Sequence, residues 1–384
     1  MATHHGWVAS VYLDVSRDRG DAPHEVRLRW EALAEQLRQQ GADDKAVDAV
    51  GEAAMQPHAQ PGPTGRAIFA GDGRVLYQAD LPGPPRRELA RWAALPHLLP
   101  LLAQMPEYVP HLVVRVGRTA ATITAFDRTG EQVHGETAEG AHHPVHKTGG
   151  GGAAHYTMQH HTEEVWARNA RAFAAEVDRA VESLRAELIV LTGDARARSL
   201  LRDALGARSR TITTEIPGPT PDDHTTDHSI DEEVRRIATE RAAKRTRDVL
   251  TQFEQERGRT AGLAVEGLEP VIRALQLNQA SAVLLRDDPS SELQIWIGPE
   301  PAQLALTEDG LREIDAPVVG LDRADAALVR AVAGSGAELV LLPDPTSDTA
   351  PNRTGSAAGG APPPNGQPPL TDGIGALLRF TSPA

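Results

Sequence analysis

Four consecutive glycines, Gly149–Gly152, are the strongest constraint on how this chain can fold. Glycine buries no side chain and loses more backbone freedom on ordering than any other residue, so neither a packed helix nor a core strand selects such a run. The glycines lie inside the histidine-rich tract HHPVHKTGGGGAAHYTMQHH, His142–His161, with Lys147 and Gln159 on either side of them. The tract predicts a projecting loop over 142–161 whose backbone can approach a partner closely. A helix is expected from about Thr162 to Leu184, with Val165, Trp166, Phe173, Val177, Val181 and Leu184 as its buried stripe. The loop is thus tethered to a rigid element.

Around this landmark the chain reads as alternating strands and helices, the pattern of an α/β protein with three domains. An N-terminal α/β domain covers 1–107: a strand at Val8–Asp14, a helix over Glu25–Gln40, and a hairpin at Arg66–Tyr77 turning on Gly-Asp-Gly-Arg. A middle domain covers 108–228, with an antiparallel strand pair in His111–Phe126, a fully buried strand at Glu187–Gly193 and another strand at Arg210–Ile216. A long helix over 229–258 follows, capped by Ser229. The C-terminal domain covers 259–384, with a helix through Val271 and Leu275, strands at Ala282–Leu285, Leu293–Ile297 and Glu338–Leu342, and a helix at Leu321–Ala333. Pro, Gly, Ser, Thr and Asn dominate an insert over 343–371, which is expected to be disordered before a last strand at Gly373–Phe380.

Several classes of function are excluded or weakened. There are no cysteines, so disulfides and thiolate metal sites are out, and a cytoplasmic location is expected. No apolar run is long enough to span a bilayer, so no membrane partner is expected. The net charge of −14 has the wrong sign for a general nucleic-acid binder. Yet the stretch Arg235–Arg247 holds six basic residues against Glu240, and Arg241, Lys244 and Arg245 share a face at helical spacing.

The histidines form no HExxH, and none of them pair at i, i+4 on an expected helix, so no metal is expected. Lys147-Thr148 precede the glycines, the reverse of a phosphate-binding GxxxxGK[ST] loop, and no GxGxxG or GxSxG is present, so no cofactor is expected either. What remains is a loop carrying backbone amides, Lys147 and imidazoles, which suit RNA phosphates and 2′-hydroxyls.

Gly262–Leu275, leading into Ala282-Val283-Leu284-Leu285, resembles the opening of the C-terminal domain of archaeal and eukaryotic class-1 release factors and Pelota. The terminal Gly373-Ile374-Gly375-Ala376-Leu377-Leu378-Arg379-Phe380 is similar to that domain's closing strand. Pro144-Val145-His146-Lys147, the glycines, Gln159-His160 and Thr162-Glu163-Glu164 resemble the tract of the family's bacterial branch, among its hibernation and mycobacterial-type members. The resemblance implies an RNase H-like middle domain, a ribosomal-protein-like α/β sandwich at the C-terminus, and a monomer that binds the ribosomal A site. It also implies contacts with ribosomal RNA through His146, Lys147, Gly149, Gly150, Gly151, Gly152, Gln159 and His160, with Arg241, Lys244 and Arg245 touching RNA or bracing the domains. Elongation factor Tu or another translational GTPase is the implied protein partner. Release factors place a catalytic glutamine directly after two glycines; here Ala153 follows Gly152 and Gln159 comes later. The expectation is therefore a non-catalytic hibernation factor, with a peptidyl-tRNA hydrolase for ribosome rescue as the alternative.

Overall fold

The computed structural model describes residues 6–17, 22–57, 62–117, 119–139, 153–218, 228–260, 262–288, 290–342 and 370–380, with only the backbone described over 153–163. The expected insert over 343–371 lies almost wholly outside the described residues, as does 140–152 of the glycine tract. The chain packs as two units, one formed by 1–105 with 248–384 and the other by 106–247.

The N-terminal part of the first unit contains β1 (Val8–Asp14), α1 (Ala22–Gln39), α2 (Asp44–Met55), β2 (Gly65–Gly71), β3 (Arg74–Leu81), β4 (Leu89–Ala93) and α3 (Leu99–Gln104). The sheet order is β3-β2-β1-β4, antiparallel throughout. Alternation along β1 sends Ala9, Val11 and Leu13 toward α1 and α2, and Val8 and Tyr12 toward Phe69 and Leu101 on the other face. The β2–β3 hairpin turns on Asp72 and Gly73, both at positive φ (50° and 70°), the backbone for which an Asp-Gly pair is suited.

The second unit is built on β5 (His111–Val116), β6 (Ala120–Phe126), β7 (Gln132–Glu139), α4 (Ala153–Leu184), β8 (Leu188–Gly193), α5 (Ala195–Ala204), α6 (Ala207–Thr211) and β9 (Thr213–Glu215). The strand order is β7-β6-β5-β8-β9; β5, β6 and β7 form an antiparallel meander, and β8 and β9 run parallel to β5. This is the order and direction of an RNase H-like sheet. One face, through Leu112, Val114, Ile123, Ile189 and Leu191, packs under α4 and α5. The opposite face, through Val113, Leu188 and Val190, packs under Ile230, Val234, Ala238 and Ala242 of α7 (His228–Arg257). Cover on both faces explains why β8 reads LIVLTG with every residue buried.

The C-terminal part contains β10 (Ala264–Glu266), α8 (Leu268–Gln276), β11 (Ala280–Arg286), β12 (Gln294–Ile297), β13 (Leu304–Ala305), α9 (Glu308–Arg312), β14 (Gly320–Arg323), α10 (Ala324–Ser335), β15 (Glu338–Leu342) and β16 (Ile374–Leu378). Its main sheet runs β10-β16-β11-β15, with α8 and α10 on one face and the last turns of α7 on the other. Phe253 of α7 is fully buried against Leu284 and Leu377. A Cβ on Gly375 would come within 2.8 Å of the Phe253 ring, so the closing strand needs glycine there. A second sheet, β13-β12-β14, supplies Ile295, Ile297 and Leu304 to the same core. Leu95 and Leu99, from the segment after β4, complete that core.

Some elements differ from expectation. The stretch expected as a strand at Arg210–Ile216 is the end of α6 followed by the three-residue β9. The helix expected over Leu321–Ala333 begins at Ala324, because Leu321 and Asp322 pair with Trp296 and Ile295 in the sheet. Tertiary pairing overrides a helix-favouring, alanine-rich tract here.

Candidate functional site

The C-terminal ends of β5 and β8 and the end of β7 lie along one edge of the middle sheet: Val116 faces Ala121 and Gly193, and Ala121 faces Ala138. The chain leaves this edge after Glu139 and re-enters as α4 at Ala153. His146, Lys147 and Gly149–Gly152 fall between these points, outside the described residues.

Gln159 and His160 do not lie in a loop. They belong to α4, which starts at Ala153 rather than near Thr162. Ala153 and Ala154 are the best helix formers available after the glycines, and the histidines that mark the tract as polar do not prevent a helix. At the N-terminus of α4 the open N–H groups are those of the first four residues, 153–156. The Gln159 N–H comes later, inside the i→i−4 ladder, so it is not an open backbone donor. The thirty-two residues of α4 span about 48 Å at the α-helical rise. Buried contacts of its described side chains run from Val165 to Val181.

The sheet edge beneath is tightly fixed. Gly193 sits at φ 114°, with a virtual Cβ 2.1 Å from the Val116 carbonyl oxygen. That oxygen accepts the Asp194 N–H at 3.0 Å. The Asp194 carboxylate caps α5 by accepting from the N–H groups of Arg196 and Ala197 at 3.0 and 2.9 Å.

The basic stretch lies elsewhere. Arg241, Lys244 and Arg245 are on α7, which covers the sheet face opposite α4. Arg245 donates to Glu187, which also accepts from Arg128 at 2.7 Å, so this guanidinium is engaged within the domain. Arg236 is held similarly between Glu233 and Glu240 at 2.6 and 2.5 Å. Of the sequence-derived contact residues that the structure describes, Gln159 and His160 therefore belong to α4 and Arg241, Lys244 and Arg245 to α7, the helices on opposite faces of the sheet.

Sequence reading missed a groove of about 500 Å³ beside α7 on that second face. Tyr108, His111 and Phe126 form its aromatic wall, with the His111 and Phe126 rings stacked at 5.0 Å and an interplanar angle of 11°. Arg115 and Arg235 line it too; Arg115 meets Asp231 at 3.5 Å, and Arg235 makes no ion pair among the described residues. Gly130, at φ 79°, leaves room for the Tyr108 ring, which a Cβ would approach to 2.8 Å. The available signal was period-two alternation: Leu112 and Val114 point to one face, which turns His111, Val113 and Arg115 to the other.

Burial pushes the His111 imidazole below its ordinary 6.5, outweighing the Val109 carbonyl that its Nδ1 meets at 2.8 Å and the nearby Asp127. The neutral ring is thus the native form at neutral pH. An unfolded chain takes up a proton near 6.5 while the folded one resists, so unfolding is favoured as pH falls from there toward the depressed native value. Thermal melts between about pH 7.5 and pH 5.5 should show the middle unit losing stability, and His111→Gln should flatten that dependence. An unchanged slope in the variant would remove His111 as the cause.

Among the described residues no group of three or more His, Asp or Glu is placed to hold a metal ion, and no helix is long and apolar enough to cross a membrane.

Comparison with known proteins shows which proteins this chain is similar to. Over almost its whole length the chain is similar to "Uncharacterized protein Rv2629" of Mycobacterium tuberculosis: 29% identical over 378 residues, 98% of this chain and 94% of that one. Solved structures to which the chain is similar include the archaeal translation termination factor aRF1 (14% identity, 97% of this chain and 92% of that one, TM-score 0.24). Pelota of Archaeoglobus fulgidus is another (14%, 83% and 80%, TM-score 0.28), as is a model of ribosome-bound archaeal Pelota and ABCE1 (12%, 99% and 91%, TM-score 0.35). Residues 110–259, the RNase H-like sheet with α4 and the whole of α7, match the model of bacterial archaeo-eukaryotic release factor family 2.

Proposed function

We propose that the protein is a ribosome hibernation factor that occupies the A site of idle ribosomes and extends its glycine-rich segment to the peptidyl-transferase centre. The observation that carries this reading is the position of that segment. Within a release-factor-family domain, Lys147 and Gly149–Gly152 are strung between the end of β7 and the first turn of α4. The open N–H groups of that turn and Lys147 offer donors and positive charge to RNA phosphates, and glycine lets the backbone approach them closely. The N-terminal domain would lie toward the decoding centre. The C-terminal domain would face the stalk base or a translational GTPase such as elongation factor Tu.

The backbone position of Gln159 supports binding over peptidyl-tRNA hydrolysis. A release-factor mechanism uses a glutamine with a free backbone amide, whereas the N–H of Gln159 lies inside the hydrogen-bonded ladder of α4. Release of peptide from peptidyl-tRNA on ribosomes is expected for neither the parent nor Gln159→Ala. Release by the parent that is lost in the variant would establish the hydrolase instead.

Co-sedimentation with vacant ribosomes tests the binding reading. The parent should co-migrate near one copy per ribosome, and binding should weaken steeply with salt as phosphate contacts are lost. Removing residues 146–152 leaves α4 to begin at Ala153 and should weaken binding by about tenfold or more, given several phosphate contacts. A parent that stays at the top of the gradient at low salt, with and without elongation factor Tu, overturns the proposal.

A further inference from the structure

We propose that the groove between β5, β6 and the first half of α7 is a binding site for an unstacked nucleotide of single-stranded RNA, a second RNA contact on the sheet face opposite α4.

Its chemistry separates the two halves of such a ligand. Phe126 is half-buried, stacked on His111, and lines the groove. A base entering there would extend a stack already formed by two rings, and His111 beneath is held neutral, an aromatic slab rather than a second cation. Tyr108, set by the turn at Gly130, forms the adjoining wall. Aromatic walls recognise bases through their faces and are tolerant of sequence.

The phosphate side is supplied by Arg115 and Arg235. Arg235 is exposed and carries its charge into the groove without an ion pair among the described residues. Among the described residues Arg115 meets one carboxylate, that of the partly exposed Asp231 at 3.5 Å, an interaction of little strength that a phosphate can replace. The Thr124 hydroxyl, between Phe126 and Arg115 on the same face, is placed for a ribose. The groove volume of about 500 Å³ lies within the ordinary range for small-ligand sites and accommodates one nucleotide. With two arginines against one aspartate, this is a positive groove on a chain whose net charge is −14. Local charge, not the overall sum, decides whether a polyanion is held.

The inference rests on the ribosome reading only for the source of the RNA, so the test uses an isolated oligonucleotide. Fluorescein-labelled hexauridylate should raise its anisotropy on titration with the full-length protein at about 50 mM salt and lose affinity as salt rises. Phe126→Leu keeps apolar bulk and removes the ring; Arg235→Glu changes an exposed charge without touching the core. Each should weaken binding by about tenfold. Ultraviolet crosslinking should attach uridine to the peptide containing Tyr108 or Phe126. If Phe126→Leu melts at a lower temperature than the parent, Arg235→Glu and the crosslink position decide the matter.

No binding by the parent, equal binding by Arg235→Glu, or crosslinks confined to other peptides would each overturn the site. A parent that sediments with ribosomes yet ignores hexauridylate loses the groove and keeps the hibernation reading. Hexauridylate binding without sedimentation does the reverse.

Discussion

Replacing Asp322 by alanine should destabilise the unit formed by the N- and C-terminal domains by about 3–5 kcal/mol, the usual cost of removing one partner from a buried ion pair. Asp322 is 1% exposed at the end of β14. One carboxylate oxygen accepts from the Arg91 guanidinium and from the Arg323 N–H at 2.7 Å; the other accepts the Leu95 N–H at 3.0 Å. Its charge also acts on Arg330, whose guanidinium burial pushes below its ordinary value. In the alanine variant Arg91 would stay largely buried without its carboxylate, and the Leu95 N–H would lose its acceptor. That loss falls where Leu95 and Leu99 enter the core of the C-terminal domain, so packing is affected as well as charge. Urea unfolding followed by tryptophan fluorescence checks the cost, with Trp92 beside Arg91 in β4 as a local reporter. The double variant Asp322→Ala with Arg91→Met should recover part of the loss, because it removes the stranded charge. An Asp322→Ala protein as stable as the parent would show that this carboxylate does not hold the two domains together.

The contrast between Asp322 and the β8 strand explains what was legible in the sequence. A continuous run such as Leu188–Gly193 announces burial on two faces because its cause is local composition. The hairpin at Asp72-Gly73 and the closing strand with Gly375 are legible for a similar reason, since turn geometry and a close ring contact each select glycine. Asp322 carries no such mark. It and Arg323 look like the polar start of an exposed helix until β12 pairs with β14 and the segment after β4 arrives from more than two hundred residues away.

The candidate site divides in the same way. The helical spacing of Arg241, Lys244 and Arg245 was visible, but Glu187, which occupies Arg245, is 58 residues distant. The tract 142–161 was visible as a glycine-rich landmark, but its polar histidines concealed that the helix begins at Ala153. The aromatic groove was hidden because it needs Tyr108, Phe126 and Arg235 from three separate elements.

Gly193→Ala is expected to be the most damaging single-methyl change in the middle unit, costing about 4 kcal/mol from backbone strain together with overpacking. Its φ of 114° lies where residues with a Cβ are strained, and the added carbon would sit 2.1 Å from the Val116 carbonyl oxygen. Backbone cannot rotate aside as a side chain would. Either β8 moves away from β5 or the Asp194 N–H leaves that same oxygen, and the second movement unseats the carboxylate that caps α5. Gly41→Ala is the control: its φ is 83° but nothing lies within 4 Å of a Cβ there, so it should show strain alone, about 1 kcal/mol. Thermal unfolding should therefore lower the middle-unit transition markedly for Gly193→Ala and only slightly affect the first unit for Gly41→Ala. Similar small shifts in both variants would mean that the β5–β8 edge yields easily. Because β7 ends on this edge just before the glycine-rich segment, a strained edge should also weaken ribosome co-sedimentation at temperatures where the domain remains folded. Full binding by a destabilised Gly193→Ala protein would instead show that the segment needs only a tether, not a fixed point of departure.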